Sequence, residues 1–156
     1  MQLKITVTNT LNEETKKALL RIWNKEYPNQ LKHDNLESFN AYLAPLKNKK
    51  HWLVYDSSKV KGWYFEFDRD DVRWFAMILD RSIKNQGWGS KLLNMAKSEA
   101  SVLNGWVIDH NSYNKSDNDI YKSPLNFYLQ NGFEVLAGNR LETDKISAVH
   151  IKWQKF

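Results

Sequence analysis

Midway along the sequence, the hydrophobic pattern of this chain changes from the period of strands to that of a helix, and this change limits the folds that the chain can adopt. Before it, segments 51–56, 60–67 and 72–79 are rich in apolar residues and joined by short polar connections, which predicts an antiparallel meander. After it, residues 87–103 carry an apolar stripe at helical spacing, and a short apolar strand follows at 106–108. A strand, a helix and a second strand in succession form a crossover whose strands pair in parallel.

The remaining segments complete a mixed sheet. We expect further strands and helices at 2–8 (strand), Asn12 to Tyr27-Pro28 (helix), Asp34 to near Pro45 (helix), Ser123-Pro124 to Gln130 (helix), and 133–138 and 144–154 (strands). Asn104-Gly105 is predicted to end the long middle helix. The sequence therefore predicts a single domain over residues 1–156, of α/β (α+β) class, with about seven strands and four main helices.

Composition excludes several kinds of chemistry. The chain has no cysteine, so thiol catalysis, disulfides and cysteine-bound metals are excluded. The longest clean apolar run, residues 74–79, is far too short to span a membrane, and we expect a cytoplasmic protein. The net charge of +5 suits an anionic ligand. Nucleic acid is not favoured, because the basic residues are scattered and no aromatic-glycine RNA motif is present; a membrane partner is not expected either.

Two glycines follow the strand at 72–79 and open the amphipathic helix, a setting in which backbone N–H groups bind phosphate. A Walker loop would require Gly-Lys followed by Ser or Thr, whereas the order here is Gly89-Ser90-Lys91. A dinucleotide-binding fingerprint would require a third glycine, but Leu92 occupies that position. Neither motif fits this turn.

The segment Lys84-Asn85-Gln86-Gly87-Trp88-Gly89 resembles the acyl-CoA pyrophosphate loop of the GNAT superfamily of N-acyltransferases, with Lys84 in place of arginine or glutamine. A second segment, Asn126 to Glu134, resembles the later helix-to-strand signature of that superfamily, an aromatic-Tyr pair followed by Gly-Phe. The order of predicted elements also resembles the GNAT fold along nearly the whole chain. The resemblance implies a splayed parallel strand pair and direct transfer of an acetyl group from acetyl-CoA to a primary amine, with no metal.

The resemblance also implies specific site residues. Those expected to bind the coenzyme are Ile78, Leu79, Lys84, Asn85, Gln86, Gly87, Trp88, Gly89, Ser90, Asn111 and Tyr128. Tyr128 is also expected to act as the acid that protonates the leaving thiolate. For the base we rank His110 and Asp109 above Glu66.

Trp23, Tyr27 and His33 are expected to line the acceptor site. The amine itself cannot be read from the sequence, and exposed terminal strands leave a homodimer open. The alternative function is a non-catalytic module that binds acyl-CoA on the same fold.

Overall fold

The computed structural model describes residues 2–156. Its strands are β1 (Leu3–Thr8), β2 (Lys47–Asp56), β3 (Lys59–Arg69), β4 (Val72–Leu79), β5 (Val102–Val107), β6 (Glu134–Glu142) and β7 (Ser147–Gln154). Its α-helices are α1 (Glu13–Glu26), α2 (Leu36–Leu43), α3 (Trp88–Glu99) and α4 (Leu125–Gln130), with single 3₁₀ turns at Asn29–Leu31 and Arg81–Ile83. Within residues 2–156, no helix is both long and apolar enough to cross a lipid bilayer.

The seven strands form one sheet in the order β1-β2-β3-β4-β5-β7-β6. Every neighbouring pair is antiparallel except β4 and β5, which are parallel. The predicted class is therefore confirmed: a mixed sheet of seven strands, an antiparallel meander, one parallel crossover and four α-helices.

Two apolar layers cover the two faces of the sheet. On one face, α1 and α2 bury Leu19, Trp23 and Phe39 against Trp63 and Phe65 of β3. On the other face, α3 and α4 pack on the alternate side chains of the same strands, in a cluster that includes Tyr64, Phe75, Leu92, Leu93, Tyr128 and Phe133. The alternation of side chains along β3 and β4 separates the two layers.

Several predicted boundaries were wrong. Helix α3 ends at Glu99, where Ala100 turns to an extended conformation, and β5 already begins at Val102. Asn104-Gly105 therefore lies within a buried strand and does not end a helix. Leu103 keeps the apolar spacing of the helix, but it is buried as a strand residue. Strand β2 also begins four residues earlier than predicted, at Lys47, since it pairs with the long strand β3.

The entry to α4 also differs by one residue from the prediction. Pro124, not Ser123, occupies the N-cap position. The Ser123 hydroxyl still accepts a hydrogen bond from the Leu125 N–H (3.2 Å) and donates one to the Ile108 carbonyl oxygen (2.6 Å). Ser123 thus connects the start of α4 to the chain just beyond β5.

Candidate active site

The strand split, which is the region where β4 and β5 separate beyond Trp74 and Asn104, is the main opening in the sheet. These two residues form the only aligned pair of the two strands among residues 2–156. On its other edge β4 pairs with β3 along its whole length, from Val72 to Leu79. The splayed parallel pair expected from the sequence is therefore present.

Alternation along β4 decides which backbone groups face the split. The Asp80 N–H donates to the Lys61 carbonyl oxygen of β3 (2.8 Å), so the backbone groups of Ile78, two residues earlier, also face β3. Those of Met77 and Leu79 face the split. Of the two β4 residues predicted to face the coenzyme, Leu79 therefore faces the split, and Ile78 faces β3. Met77 was not predicted, although counting residues along the strand register identifies it.

Asn104 fixes the point at which the two strands separate. Its side-chain amide donates to the Arg73 carbonyl oxygen on β4 (3.2 Å), and its Oδ1 lies 2.7 Å from Nε2 of His150 on β7. Beside it, a Cβ on Gly105 would lie 2.8 Å from Cε1 of Phe75. The Phe75 ring therefore occupies the space that a side chain at position 105 would need.

A cavity of about 350 Å³ occupies the strand split. Its walls come from both apolar layers: Phe75, Met77 and Tyr128 from the α3/α4 face, and Trp23 and Phe67 from the α1/α2 face. Further lining residues are Tyr27, Leu31, Tyr42, Arg69, Trp74, Ala76, Trp106, Val107, Ile108, Tyr121, Pro124, Leu141, Thr143, Lys145, Ile146 and Ala148. The cavity therefore reaches through the sheet from one face to the other.

Tyr128 lies in the wall of this cavity, as its predicted catalytic role requires. Its ring packs on Phe75 and Phe133, with centroids 5.6 Å and 5.5 Å away. Burial raises the pKa of Tyr128 well above its ordinary value, and the nearby Tyr121 adds to this effect. The hydroxyl therefore keeps its proton at any physiological pH and can donate a hydrogen bond.

Two of the three predicted acceptor-site residues line the cavity. Trp23 is anchored by a hydrogen bond from its Nε1 to the Leu31 carbonyl oxygen (2.8 Å), and the Tyr27 hydroxyl donates to the Met77 carbonyl oxygen (3.4 Å). His33 is not part of the lining. Its ring packs on Trp23 outside the cavity lining, with centroids 5.1 Å apart, and its Nδ1 lies 2.8 Å from the Ser38 hydroxyl.

The glycine turn (residues 84–89) adjoins the end of the strand split. Residues 84–87 are exposed, and Gly87 caps α3 in the left-handed region (φ +88°), with no side chain capping the helix. The first intrahelical hydrogen bond runs from the Lys91 N–H to the Gly87 carbonyl oxygen. The preceding N–H groups are therefore available to an anion from outside.

Gly89 brings this turn close to the cavity. A Cβ at Gly89 would lie 2.8 Å from the Phe127 ring and 3.5 Å from the Met77 side chain. The absence of a side chain thus lets α3 pack tightly against α4 and against Met77, which lines the cavity. Trp88 and Ser90 are half-buried in the first turn of α3.

A cluster of charged residues connects the segment before the glycine turn to helix α1 and to the loop after β5. We call it the Glu26 cluster; it consists of Glu26, Arg81, Lys84 and Lys115. The Glu26 carboxylate is buried, accepts the Arg81 N–H (2.8 Å), and lies 3.3 Å from Lys84 Nζ and 3.5 Å from Lys115 Nζ. Burial alone would raise the pKa of Glu26, but Lys84 and the Arg81 N–H bond, with the other cations, bring it below its ordinary value. No motif in the sequence indicates a role for this carboxylate.

Lys84 therefore has a neighbour that the loop resemblance did not suggest. Its side chain is 40% exposed while it contacts Glu26, so it can also reach a ligand at the glycine turn. Asn85 next to it adopts a positive φ of 60°, and the Gln86 side chain donates to the Ser82 carbonyl oxygen (3.1 Å). The side chain of Gln86 thus shapes the turn, and its backbone faces solvent.

None of the three predicted bases lines the cavity. Arg140 of β6 binds Asp109 through two hydrogen bonds (2.9 and 3.1 Å), which lower the pKa of that carboxyl. His110 accepts the Ser112 N–H at Nδ1 (3.2 Å) and packs on Tyr113. These contacts direct both side chains into the loop and toward β6.

Glu66 and Asn111 are also engaged elsewhere. Glu66 is buried and accepts hydrogen bonds from the Tyr64 hydroxyl (2.8 Å) and from Arg73 Nε (2.9 Å). The Oδ1 of Asn111 accepts the Ser123 N–H (2.8 Å). Residues 2–156 contain no group of three or more histidine, cysteine, aspartate or glutamate side chains placed to hold a metal ion.

Solved structures of acyltransferases share this fold over nearly the whole chain. An aminoglycoside 6'-N-acetyltransferase complexed with coenzyme A is 11% identical, with a TM-score of 0.72 over 97% of this chain and 96% of that chain. The aminoglycoside 6'-N-acetyltransferase from Enterococcus faecium is 12% identical (TM-score 0.70; 97% and 96%). An acyl-CoA N-acyltransferase from Pseudomonas aeruginosa is 14% identical (TM-score 0.68; 97% and 99%).

The split sheet and the glycine turn thus belong to a fold used by acyl-CoA-dependent N-acyltransferases. More specifically, the chain has the GNAT fold, which confirms the resemblance at the level of the fold. No protein-family model matches the sequence, and no curated protein matches it.

Proposed function

We propose that this chain is an N-acetyltransferase that moves an acetyl group directly from acetyl-CoA to a primary amine. The observation that carries the proposal is the combination of the strand split with the exposed, uncapped glycine turn beside it. A helix N-terminus attracts a diphosphate, and a separated strand edge offers hydrogen bonds to the amides of a pantetheine chain. Acetyl-CoA carries both groups.

The coenzyme would lie along the α3/α4 side of the split. The N–H groups of residues 86–90 would bind its diphosphate, and Lys84 would add a cationic hydrogen bond. The N–H and carbonyl groups of Met77 and Leu79 would bind the pantetheine and the thioester oxygen, because they face the split and lack a partner strand there. Asn111 could donate a hydrogen bond to the coenzyme through its side-chain amide, while its Oδ1 accepts the Ser123 N–H.

In the reaction the amine nitrogen attacks the thioester carbon. A C–N bond forms, the carbonyl oxygen becomes an oxyanion that an N–H of the β4 edge stabilises, and the C–S bond then breaks. The nitrogen loses one proton and the sulfur gains one. Since the pKa of Tyr128 is raised by burial, we assign Tyr128 a hydrogen bond to the departing thiolate, whose proton comes from the amine.

The cavity lining contains no carboxylate and no imidazole. The amine would therefore have to enter in its neutral form or lose its proton to water. Asp109, His110 and Glu66 would act only through intervening water. The same observation favours the second candidate function, a module that binds acyl-CoA without transferring the acyl group.

The proposal is tested by calorimetric titration of acetyl-CoA into two matched variants. Gly87 and Gly132 share a φ near +88°, and a Cβ at either position meets nothing closer than 3.6 Å, so alanine should cost similar stability at both. We expect Gly87→Ala to weaken acetyl-CoA binding about tenfold, or 1.4 kcal/mol, because the Cβ obstructs the diphosphate. Gly132→Ala should bind normally.

If a folded Gly87→Ala protein binds acetyl-CoA as tightly as Gly132→Ala does, the glycine turn does not bind the diphosphate. Free-thiol release in the presence of a panel of amines then separates the two candidate functions. Transfer to an amine supports the acetyltransferase, while binding of acetyl-CoA without transfer supports the binding module.

A further inference from the structure

The charged groups of the cavity lining are of one sign. Arg69 at the end of β3 and Lys145 in the turn between β6 and β7 are its two cations, and no aspartate or glutamate lines it. Within residues 2–156, neither cation forms a salt bridge, although Arg69 lies over the Phe67 ring at 5.2 Å. Both are exposed, so both can bind an anion from solution.

The charges of both residues act on the α1/α2 side of the cavity. Burial raises the pKa of Tyr42 to about 12, and the charge of Arg69 works against this rise. Burial lowers the pKa of His33, the charge of Lys145 lowers it further, and the charge of Asp34 opposes this shift. Two separate elements of the fold therefore bring positive charge to the side of the sheet opposite the glycine turn.

Much of this side is aromatic, and Tyr27, Tyr42 and Thr143, which carry hydroxyls, also belong to the cavity lining. Trp74 and Trp106 stack with centroids 5.2 Å apart, and Trp23 packs edge-on against Tyr27 and Tyr42. Such walls bind an aromatic or aliphatic body through apolar burial and ring stacking. A hydrated polycation would be repelled here, because like charges would face it and no carboxylate would pair with it.

We propose, on the basis of the acetyltransferase function above, that the acceptor is a primary amine on a flat apolar body that also bears a carboxylate, and that Arg69 and Lys145 bind this carboxylate. Aromatic α-amino acids and amino-substituted aromatic acids have this chemistry.

The experiment compares acceptors that differ only in the carboxylate: L-tryptophan with tryptamine, and L-phenylalanine with phenethylamine. Spermidine and kanamycin represent polycations. With acetyl-CoA and free-thiol detection, we expect kcat/KM for the amino acid to exceed that of its decarboxylated partner by about tenfold or more. Polycations should be the poorest acceptors.

Variants of the two cations test whether these residues cause the preference for the amino acid over its decarboxylated partner. Arg69→Gln and Lys145→Gln should each reduce the ratio of amino acid to amine by severalfold, mainly through KM, whereas Arg69→Lys should retain most of it. The controls Arg21→Gln and Lys59→Gln remove similar exposed cations outside the cavity lining and should leave the ratio unchanged.

Each outcome separates this inference from the function on which it rests. Efficient transfer to spermidine or kanamycin, or equal rates with tryptophan and tryptamine, would overturn the acceptor class and leave the acetyltransferase intact. If acetyl-CoA binds but no amine is acetylated, the transferase function fails. Titration of tryptophan and tryptamine into the protein with coenzyme A then decides whether the cations select a carboxylate, and equal affinities would overturn the inference.

Discussion

The two edges of strand β4 are paired to very different extents, although the same residues form both. Toward β3, the strand forms eight aligned residue pairs, from Val72 to Leu79. Toward β5, it forms one, at Trp74 and Asn104. The difference shows that the alternating pattern of a sequence predicts a strand, whereas tertiary contacts decide how far each edge is paired.

The largest expected effect is on amide hydrogen exchange. The N–H groups of Ala76 and Ile78 face β3, and those of Met77 and Leu79 face the strand split. We expect the second pair to exchange about a hundredfold faster or more, since only the first pair is held by a sheet ladder. Exchange followed by NMR measures this difference, and uniform protection along β4 would mean that the split closes in solution.

Next in size is the loss of stability from a side chain at Gly105. A Cβ there meets Phe75 at 2.8 Å, so Gly105→Val should lower the free energy of unfolding by about 2 kcal/mol through overpacking. Urea unfolding measures the loss. Gly138→Val on β6 is the control, because a Cβ at Gly138 meets nothing within 4 Å. Similar losses in both variants would mean that Phe75 moves aside freely.

Removal of the Asn104 side chain, which connects β4 and β5 at the end of the split, should reduce the stability somewhat less. Asn104→Ala leaves the Arg73 carbonyl oxygen and His150 Nε2 without their present partner. We expect a loss of about 1–2 kcal/mol in urea unfolding, with faster exchange at Phe75, the next residue on that edge. Unchanged exchange at Phe75 would show that another contact holds the strands together.

The contribution of Asp80, directly after β4, to the free energy of unfolding should depend on pH. Burial alone would raise the pKa of Asp80, but hydrogen bonds from Ser82 and Lys25 lower it from 3.8 to about 2. The folded state thus favours the anion, and this contribution is present above pH 4 and is lost as the pH falls toward 2.

In urea unfolding, the wild type should lose roughly 1 kcal/mol more than Asp80→Asn between pH 4 and pH 2. Glu14→Gln, at an exposed position of α1, serves as the control and should follow the wild type. Parallel losses in wild type and Asp80→Asn would contradict the lowered pKa of Asp80 in the folded state.

The smallest effect concerns the one side-chain hydroxyl bound to the open edge. Tyr27→Phe removes a long hydrogen bond (3.4 Å) to the Met77 carbonyl oxygen, so the free energy of unfolding should fall by about 0.5 kcal/mol. Thermal unfolding compared with Tyr55→Phe on β2 checks this. A large loss would mean that the hydroxyl, and not the split itself, determines the stability of this edge.

The glycine turn and Tyr128 are predicted from short local signatures. The structure places the turn at the start of α3 beside the strand split and places Tyr128 in the cavity wall. Asp109 and Glu66, two of the predicted bases, do not line the cavity. Arg140, distant in sequence from Asp109, binds the first carboxylate, and Arg73 binds the second. Such partners are decided by sheet order and register, which single segments do not encode.

Glu26 illustrates the same limit. In the sequence it is one acidic residue at the end of an amphipathic helix, next to Lys25, and such residues are usually solvated. Its burial follows from the meeting of α1 with the segment after β4 and with the loop at 110–122. The backbone groups of Ile78 face β3 for a simpler reason, since successive backbone groups alternate between the two edges of β4.

The passage of the cavity through the sheet has a consequence for the order of events during turnover. Because its walls come from both faces, two reactants can approach from opposite sides and occupy it together. An enzyme built in this way would form a ternary complex before any bond breaks. Initial rates measured against both reactants would then give intersecting double-reciprocal lines, and parallel lines would point to an acylated intermediate.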